Sequence, residues 1–204
     1  MTNSMTLIPA TSERDHSQGP HHPLVTLVEY GDYQCPACGA AYPVVKALQK
    51  RFSKELRFIF RNFPLTQSHP FALAAADTAE AAALQGKFWQ MHDLLFQRQH
   101  LLEPPVLASW AQEIGLDLEK LKSALTNGQI AKRIREDRTG AIHSGVSGTP
   151  GFFINGAKYE GTAGYLAMRT AVEQLIAGSL QTNHFTAFKN HTPHAYTQRQ
   201  EQPS

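Results

Sequence analysis

The chain contains little cysteine and no feature that marks an exported or membrane-spanning protein. Only two of its 204 residues are cysteine, too few for the disulfide framework of a small secreted scaffold. The N-terminus has no basic segment followed by a long apolar run, so it does not resemble a secretory signal. No stretch approaches the roughly 18 apolar residues of a transmembrane helix. These features predict a cytoplasmic protein that has no membrane partner.

An excess of charge of one sign is also missing. The formal net charge at pH 7 is only +2, and nucleic-acid binders need a basic patch or stripe. The densest basic cluster includes Arg133 and Arg135, but Glu136 interrupts it. That pattern is typical of a solvated helix face. We therefore expect no nucleic-acid partner.

Hydrophobic patterning predicts an α/β domain that begins after a polar N-terminal segment. Residues 1–23 are polar and predict an extended arm or loop. Residues 24–30 are short and rich in β-branched side chains, which indicates a buried strand. Apolar residues at helical spacing follow Pro36, and a second strand is predicted over residues 56–64. The order strand, helix, strand is that of a βαβ unit.

A helical segment interrupts this domain. Residues 64–143 carry apolar residues at helical spacing in about five segments and predict an inserted helical subdomain. The strand pattern returns near residue 152, and Asn155-Gly156 is a strong hairpin signal. A last helix is predicted over residues 163–177. Residues 24–63 and 144–180 thus form one α/β domain, and the polar residues 181–204 are predicted to be a disordered tail.

The two cysteines, Cys35 and Cys38, stand together where the first helix is predicted to begin. Unpaired N–H groups and the helix dipole favour a thiolate at such a terminus. A zinc site would need four ligands, but there is no second CxxC, and the suitably spaced His191 and His194 lie in the predicted tail. Inert core cysteines are the remaining alternative. A CxxC after a strand in a βαβ pattern favours a redox pair, with Cys35 as exposed nucleophile and Cys38 as resolving thiol.

Two separated segments carry a family resemblance. "VEYGDYQCPAC" and "GVSGTPGFFING" resemble the DsbA-like thiol–disulfide oxidoreductases of the thioredoxin superfamily, and the resemblance covers residues 24–178. Pro43 matches the family's helix-kinking proline, and Thr149-Pro150 matches its cis-proline dipeptide. The resemblance implies a thioredoxin-like fold with an inserted helical subdomain. It also implies exchange with protein thiols or disulfides, an upstream electron donor or acceptor, and neither an organic cofactor nor a metal.

The resemblance also implies roles for individual residues. Pro150 should be cis and face the cysteines, and the backbone of Thr149 should pair with a substrate chain. Glu29 should be a buried acid that accepts the proton of the resolving thiol, although a strand-end carboxylate that reaches solvent is the alternative. Apart from the resemblance, the position of Tyr33 in the loop close to Cys35 makes it a candidate for an apolar rim, and Pro36 is expected to contact substrate.

The sequence departs from the strongly oxidising members of the family. They carry a histidine between the cysteines, and this chain has Ala37 there. We therefore expect a reduction potential between those of thioredoxin, about −270 mV, and DsbA, about −120 mV. Without a signal sequence, a reducing, isomerising or sensing role is favoured.

Two other functions are consistent with the same scaffold. One is a non-catalytic binding or chaperone module with a passive redox switch. The other is an isomerase or transferase that binds glutathione. Relatives of that second kind generally have serine where Cys35 stands, so the intact pair argues against it.

Overall fold

A computed structural model describes residues 5–189 of the chain, and the side chains of residues 5–181. Its elements, in chain order, are β1 (His16–Gln18), β2 (Val25–Gly31), α1 (Pro36–Arg51), β3 (Leu56–Asn62), α2 (Ala72–Ala83), α3 (Phe88–Gln97), α4 (Pro104–Glu113), α5 (Leu118–Thr126), α6 (Gln129–His143), β4 (Gly151–Ile154), β5 (Ala157–Lys158) and α7 (Tyr165–Lys189). This arrangement confirms the predicted thioredoxin-like α/β fold with helices inserted between β3 and β4.

The strands form one sheet in the order β1-β3-β2-β4-β5. Strands β2 and β3 are parallel, and the other neighbouring pairs are antiparallel. The central strand β2 is buried on both faces, which explains its continuous run of apolar residues. Its register places Glu29 between Phe60 of β3 and Phe152 of β4.

The two faces of the sheet have different neighbours. Val25 and Leu27 share a cluster with α1 and with the inserted helices, including Trp110 of α4. Val28 and Tyr30 face the other side, where they pack with Ala141 of α6. Because side chains alternate along a strand, Glu29 lies on the same face as Leu27, toward α1. The inserted helices thus share one core with the sheet.

Helix α1 begins at Pro36, as the sequence predicts, and contains Pro43. Proline is favoured at the first helical position because that residue's N–H would have no partner within the helix. Lys50 and Arg51 occupy the last turn, where positive charge interacts favourably with the helix dipole. The hairpin between β4 and β5 turns at Asn155 and Gly156, which both have positive φ, 48° and 82°. These values are typical of a type I′ turn.

Both ends of the chain differ from the sequence-based expectation. The predicted arm over residues 1–23 contributes β1 to the sheet edge, and Thr6 forms a bridge with Ala157. Helix α7 continues to Lys189, past the predicted end at residue 177 and into the segment predicted to be disordered. The rest of that segment, residues 190–204, lies outside the described residues. No helix among the described residues is long and apolar enough to cross a membrane.

Candidate active site

The first candidate catalytic residue, Cys35, is the N-cap of α1. Strand β2 ends at Gly31, and the chain then turns so that the Cys35 N–H donates to the carbonyl of Asp32 at 3.1 Å. Pro36 follows at the first helical position and is exposed. The local sequence therefore places a thiol at the positive end of the helix dipole, where negative charge is favoured.

The second cysteine, Cys38, lies one turn into the same helix and is completely buried. The N–H of Asp32 donates to its Sγ at 3.5 Å. Cys35 is also largely covered, with 6% of its surface exposed, and in its protonated form its Sγ can donate to the Thr149 carbonyl at 3.4 Å. The exposed nucleophile expected from the sequence is thus only slightly open to solvent. Both cysteines are free thiols.

The surroundings of Cys35 favour its thiolate. A hydrogen bond from the Cys38 thiol is the largest cause that lowers the pKa of Cys35, which falls to about 5 although burial opposes the change. The Thr149 hydroxyl and the N–H groups of Ala37 and Cys38 lower it further. At neutral pH, Cys35 is therefore ionised.

The surroundings of Cys38 have the opposite effect. Burial raises the pKa of Cys38 far above that of an ordinary thiol, and its hydrogen bond to Cys35 and the charge of Glu29 raise it further. The hydrogen bond from the Asp32 N–H lowers the pKa and only partly compensates. Cys38 therefore remains protonated at neutral pH.

Glu29 is buried, with 2% of its surface exposed. Its Oε1 has no hydrogen-bond partner among the described residues. Burial is the main reason that the pKa of Glu29 rises to about 8, and negative charge on Cys35 adds to the effect. The solvent-reaching carboxylate considered from the sequence is therefore wrong, and the buried acid is correct.

The segment before β4 closes the other side of the site. The Thr149-Pro150 peptide bond is cis, and the Thr149 carbonyl contacts Cys35. Both residues are partly exposed. The structure thus brings together Cys35, Cys38, Glu29, Thr149 and Pro150, which the sequence separates by up to 121 positions (150 − 29).

Tyr33 corrects a prediction. The sequence predicts that Tyr33 belongs to an apolar rim that contacts substrate, but only 1% of its surface is exposed. Its hydroxyl lies 3.1 Å from Nδ1 of His92 in α3, and its ring packs against Phe60 and Phe96. The helical insertion covers the ring, because burying an aromatic side chain with its hydroxyl hydrogen-bonded is favourable. Tyr33 is therefore part of the core.

Sequence reasoning missed the groups that hold the loop before Cys35. The buried carboxylate of Asp32 accepts hydrogen bonds from the N–H groups of Gln34 and Leu65 at 2.7 and 2.8 Å, and its Oδ2 lies 2.8 Å from Nδ1 of His69. Gln99, in the loop after α3, contacts the same segment from the other side. Only the position of Asp32 in the motif could have signalled such a role, since Gln99 is a single polar residue far away in sequence.

A metal would need a set of side-chain ligands. Within residues 5–181, whose side chains the structure describes, no three His, Cys, Asp or Glu side chains lie close enough together to hold a metal ion. His191 and His194, considered for a zinc site from their spacing, lie outside the described residues.

Comparison with known sequences identifies relatives of most of the chain. The Thioredoxin family model matches residues 11–174. A protein named Na(+)/H(+) antiporter NhaA 1 from Salinispora arenicola is 44% identical over 173 residues, which cover 85% of this chain and 26% of that protein. A protein named Na(+)/H(+) antiporter NhaA from Herminiimonas arsenicoxydans is 38% identical, with 76% and 24% covered. The chain therefore spans about a quarter of the length of these curated relatives.

Several solved structures have the same architecture. A thioredoxin-like oxidoreductase from Silicibacter pomeroyi superposes with a TM-score of 0.72 and 27% identity, covering 80% of this chain and 92% of the other. Oxidised BdbD from Bacillus subtilis gives 0.74 and 23%, covering 85% and 97%. Wolbachia pipientis α-DsbA1 gives 0.75 and 19%, covering 85% and 96%. The chain therefore belongs to the thioredoxin family, and its architecture is that of the DsbA-like thiol–disulfide oxidoreductases.

Proposed function

We propose that the chain exchanges disulfides with protein substrates, with Cys35 as nucleophile and Cys38 as resolving thiol. The observation that carries this proposal is the opposite perturbation of two thiols in one helical turn. The pKa of Cys35 is lowered to about 5, while that of Cys38 is raised. Because the thiolate is the reactive species in exchange, Cys35 reacts with substrate first. Cys38 stays protonated until the second step.

The reducing direction takes two steps. The Cys35 thiolate attacks one sulfur of a substrate disulfide, a Cys35–substrate bond forms, and the other substrate sulfur leaves as a thiolate. Cys38 then loses its proton and attacks Cys35 Sγ, which releases the second substrate thiolate and closes the Cys35–Cys38 disulfide. The substrate gains two electrons and the cysteine pair loses two. In the oxidising direction the same steps run backwards, and in either direction a separate thiol or disulfide partner must restore the pair.

Glu29 is proposed to accept the proton of Cys38 in the second step. Its pKa of about 8 lies close to neutral pH, where a buried group can both take up and release a proton. Replacing it with glutamine in the variant Glu29→Gln should slow release of a mixed disulfide about 100-fold, the usual scale of general base catalysis. The first step should change much less. Stopped-flow measurement of both steps separates the two rates, and an unchanged release rate would exclude this role.

Thr149, Pro150 and Pro36 are proposed to receive the substrate chain. All three are at least partly exposed beside the covered sulfur of Cys35. An extended substrate segment that pairs with the backbone of Thr149 would place its own cysteine close to Cys35, as strand addition does in other peptide-binding proteins.

Trapping of the intermediate tests the proposal. The variant Cys38→Ala should accumulate a mixed disulfide between Cys35 and a disulfide-containing protein, because the second step is blocked. The variants Cys35→Ala and Cys35→Ser should form none and lose all turnover. Mass spectrometry of the trapped complex identifies the bonded cysteine. The contrary result has two parts: the parent exchanges no disulfides, and the Cys35→Ser variant still binds its partner. That result would indicate a binding module.

A further inference from the structure

The side chain of Gln99 connects the helical insertion to the backbone of the candidate nucleophile. Gln99 lies between α3 and α4, and its Nε2 donates to the carbonyls of Tyr33 and Cys35, both at 2.8 Å. Carbonyl oxygens only accept hydrogen bonds, so the amide must turn its NH₂ group toward them. One side chain thus holds the residues on both sides of Gln34.

Gly39 provides a second, independent observation. A Cβ on Gly39 would overlap Gln99 Oε1 and lie 2.9 Å from Gln99 Cδ. Glycine inside a helix is less stable than alanine, and a side chain at position 39 would meet the Gln99 amide in its observed position. The N–H of Gly39 also donates to the Cys35 carbonyl at 3.1 Å. That carbonyl therefore has one donor from α1 and one from the insertion.

We propose that Gln99 is a positioning residue, which holds the Cys35 backbone so that its thiolate meets the N-terminal N–H groups of α1. The inference rests on the proposed role of Cys35 as nucleophile. Two donors on the Cys35 carbonyl fix the peptide that joins Cys35 to Pro36. Through this contact, the insertion supports the reactive state of the cysteine in addition to sharing its core.

The pKa of Cys35 in reduced, full-length protein tests the inference. It is measured as the pH dependence of iodoacetamide alkylation, with the site identified by mass spectrometry. Gln99→Leu should raise the pKa by about 0.5 to 1 unit, a three- to tenfold loss of thiolate below the parent pKa. Gln97→Leu is the matched control, because Gln97 donates only to the Tyr42 hydroxyl, at 3.3 Å. The pKa of Cys35 in Gln97→Leu should equal the pKa of Cys35 in the parent.

Gly39→Ala tests the same contact from the other partner. The Cβ added at position 39 should displace the flexible Gln99 amide, so this variant should raise the pKa of Cys35 as Gln99→Leu does. In a protein that already carries Gln99→Ala, adding Gly39→Ala should not raise the pKa of Cys35 further. In the Gln99→Ala protein, Gly39→Ala should increase the urea midpoint, because alanine is the better helix former. In the parent, the same substitution should decrease it.

The outcomes separate this inference from the proposed function. A lowered parent pKa that stays unchanged in both Gln99→Leu and Gly39→Ala would overturn the positioning role and leave the function intact. A parent pKa at the ordinary thiol value, unchanged in the variants, would overturn both.

Discussion

Two chemically identical thiols acquire different properties because each has a different environment. Cys35 lies at a helix N-terminus, where hydrogen bonds from Cys38 and Thr149 favour its ionised form. Cys38 is one turn deeper, where burial and the hydrogen bond to Cys35 disfavour ionisation. A spacing of three residues thus produces a large difference in pKa, because Cys35 lies at the helix N-terminus and Cys38 is completely buried.

Glu29 should make stability depend on pH. Its pKa is about 8 in the folded protein and ordinarily 4.5, so the folded state binds more protons between these values. Its stabilising contribution is complete below pH 4.5 and is lost as the pH rises toward 8. Glu29→Gln removes this dependence. Relative to the parent, the variant should gain about 1.4 kcal/mol per pH unit between pH 5 and 8.

Urea unfolding of both reduced proteins at several pH values measures this difference. The lowered pKa of Cys35 acts with the opposite sign, because its contribution is lost as the pH falls through about 5. It is present in both proteins, so the difference between them reports Glu29. A difference that did not change with pH would mean that Glu29 is not a buried neutral acid.

Asp32 should be important for stability because its carboxylate holds the loop before Cys35. Asp32→Asn would replace one carboxylate oxygen, which accepts hydrogen bonds, with an NH₂ group that cannot accept them. We expect the free energy of unfolding to fall by about 3 kcal/mol. His69→Ala removes only one of those partners, from a partly exposed site, and should cost about 1 kcal/mol. Urea unfolding compares the variants. Equal losses would show that the backbone donors contribute nothing.

Residue identities predicted the reacting groups better than the groups that support them. Cys35, Cys38 and Glu29 stand out because cysteine is scarce and because an acid is unusual in an apolar strand. Tyr33 was misplaced because periodicity does not show which way a loop side chain turns. Gln99 could not be predicted, because its role depends on a tertiary contact with residues more than 60 positions away.

Two local elements present the site, and both follow from their sequences. Helix α1 begins at Pro36 and places Cys35 at its N-cap. The β4–β5 hairpin supports the strand that follows Thr149 and Pro150. Its turn is fastened to β2, because Asn155 Oδ1 accepts from the N–H of Thr26 at 2.7 Å.

Substitutions at Asn155 should separate the two contributions of this turn. Asn155→Ala loses the side-chain hydrogen bonds to the Thr26 N–H and the Leu24 carbonyl and puts a less tolerant residue at φ 48°, so we expect a loss of about 2 kcal/mol. Asn155→Gly loses the same side-chain bonds but accepts the positive φ, and it should cost about 1 kcal/mol. Thermal unfolding ranks the two variants. A glycine variant less stable than the alanine variant would show that the turn is not of this type.

Most element types were predictable, whereas strand β1 and the end of α7 were not. The strand and helix periods around the cysteines and the Asn-Gly pair act locally, so sequence reasoning finds them. Strand β1 has only three residues and forms because β3 offers it an edge. Helix α7 continues through polar residues to Lys189, a segment whose composition alone suggested a tail.

The N-terminal segment is tied to the body of the molecule by one buried arginine. Arg61 of β3 donates to both carboxylate oxygens of Asp15, at 2.8 and 3.0 Å, and to the carbonyls of Pro9 and Ala10. It also donates to the Tyr30 hydroxyl at 2.9 Å. This network explains why residues expected to form an arm instead pack against the sheet.

Loss of Arg61 should destabilise the whole molecule. Arg61→Met leaves the Asp15 carboxylate buried without its partner, which typically costs about 3 to 5 kcal/mol. The double variant Arg61→Met/Asp15→Ala removes the unpaired charge and should recover part of that loss. Urea unfolding of the two variants and the parent measures both the loss of stability and the part that is recovered. A double variant that recovered nothing would show that the unpaired carboxylate is not the cause.

The central claim is that Cys35 and Cys38 form a reversible redox pair, and their reduction potential tests it most directly. The protein is equilibrated in graded glutathione buffers, and its free thiols are trapped and counted. We expect one two-electron transition between about −270 and −120 mV, the values of thioredoxin and DsbA. The absence of any reversible transition in which both cysteines change together would contradict the account.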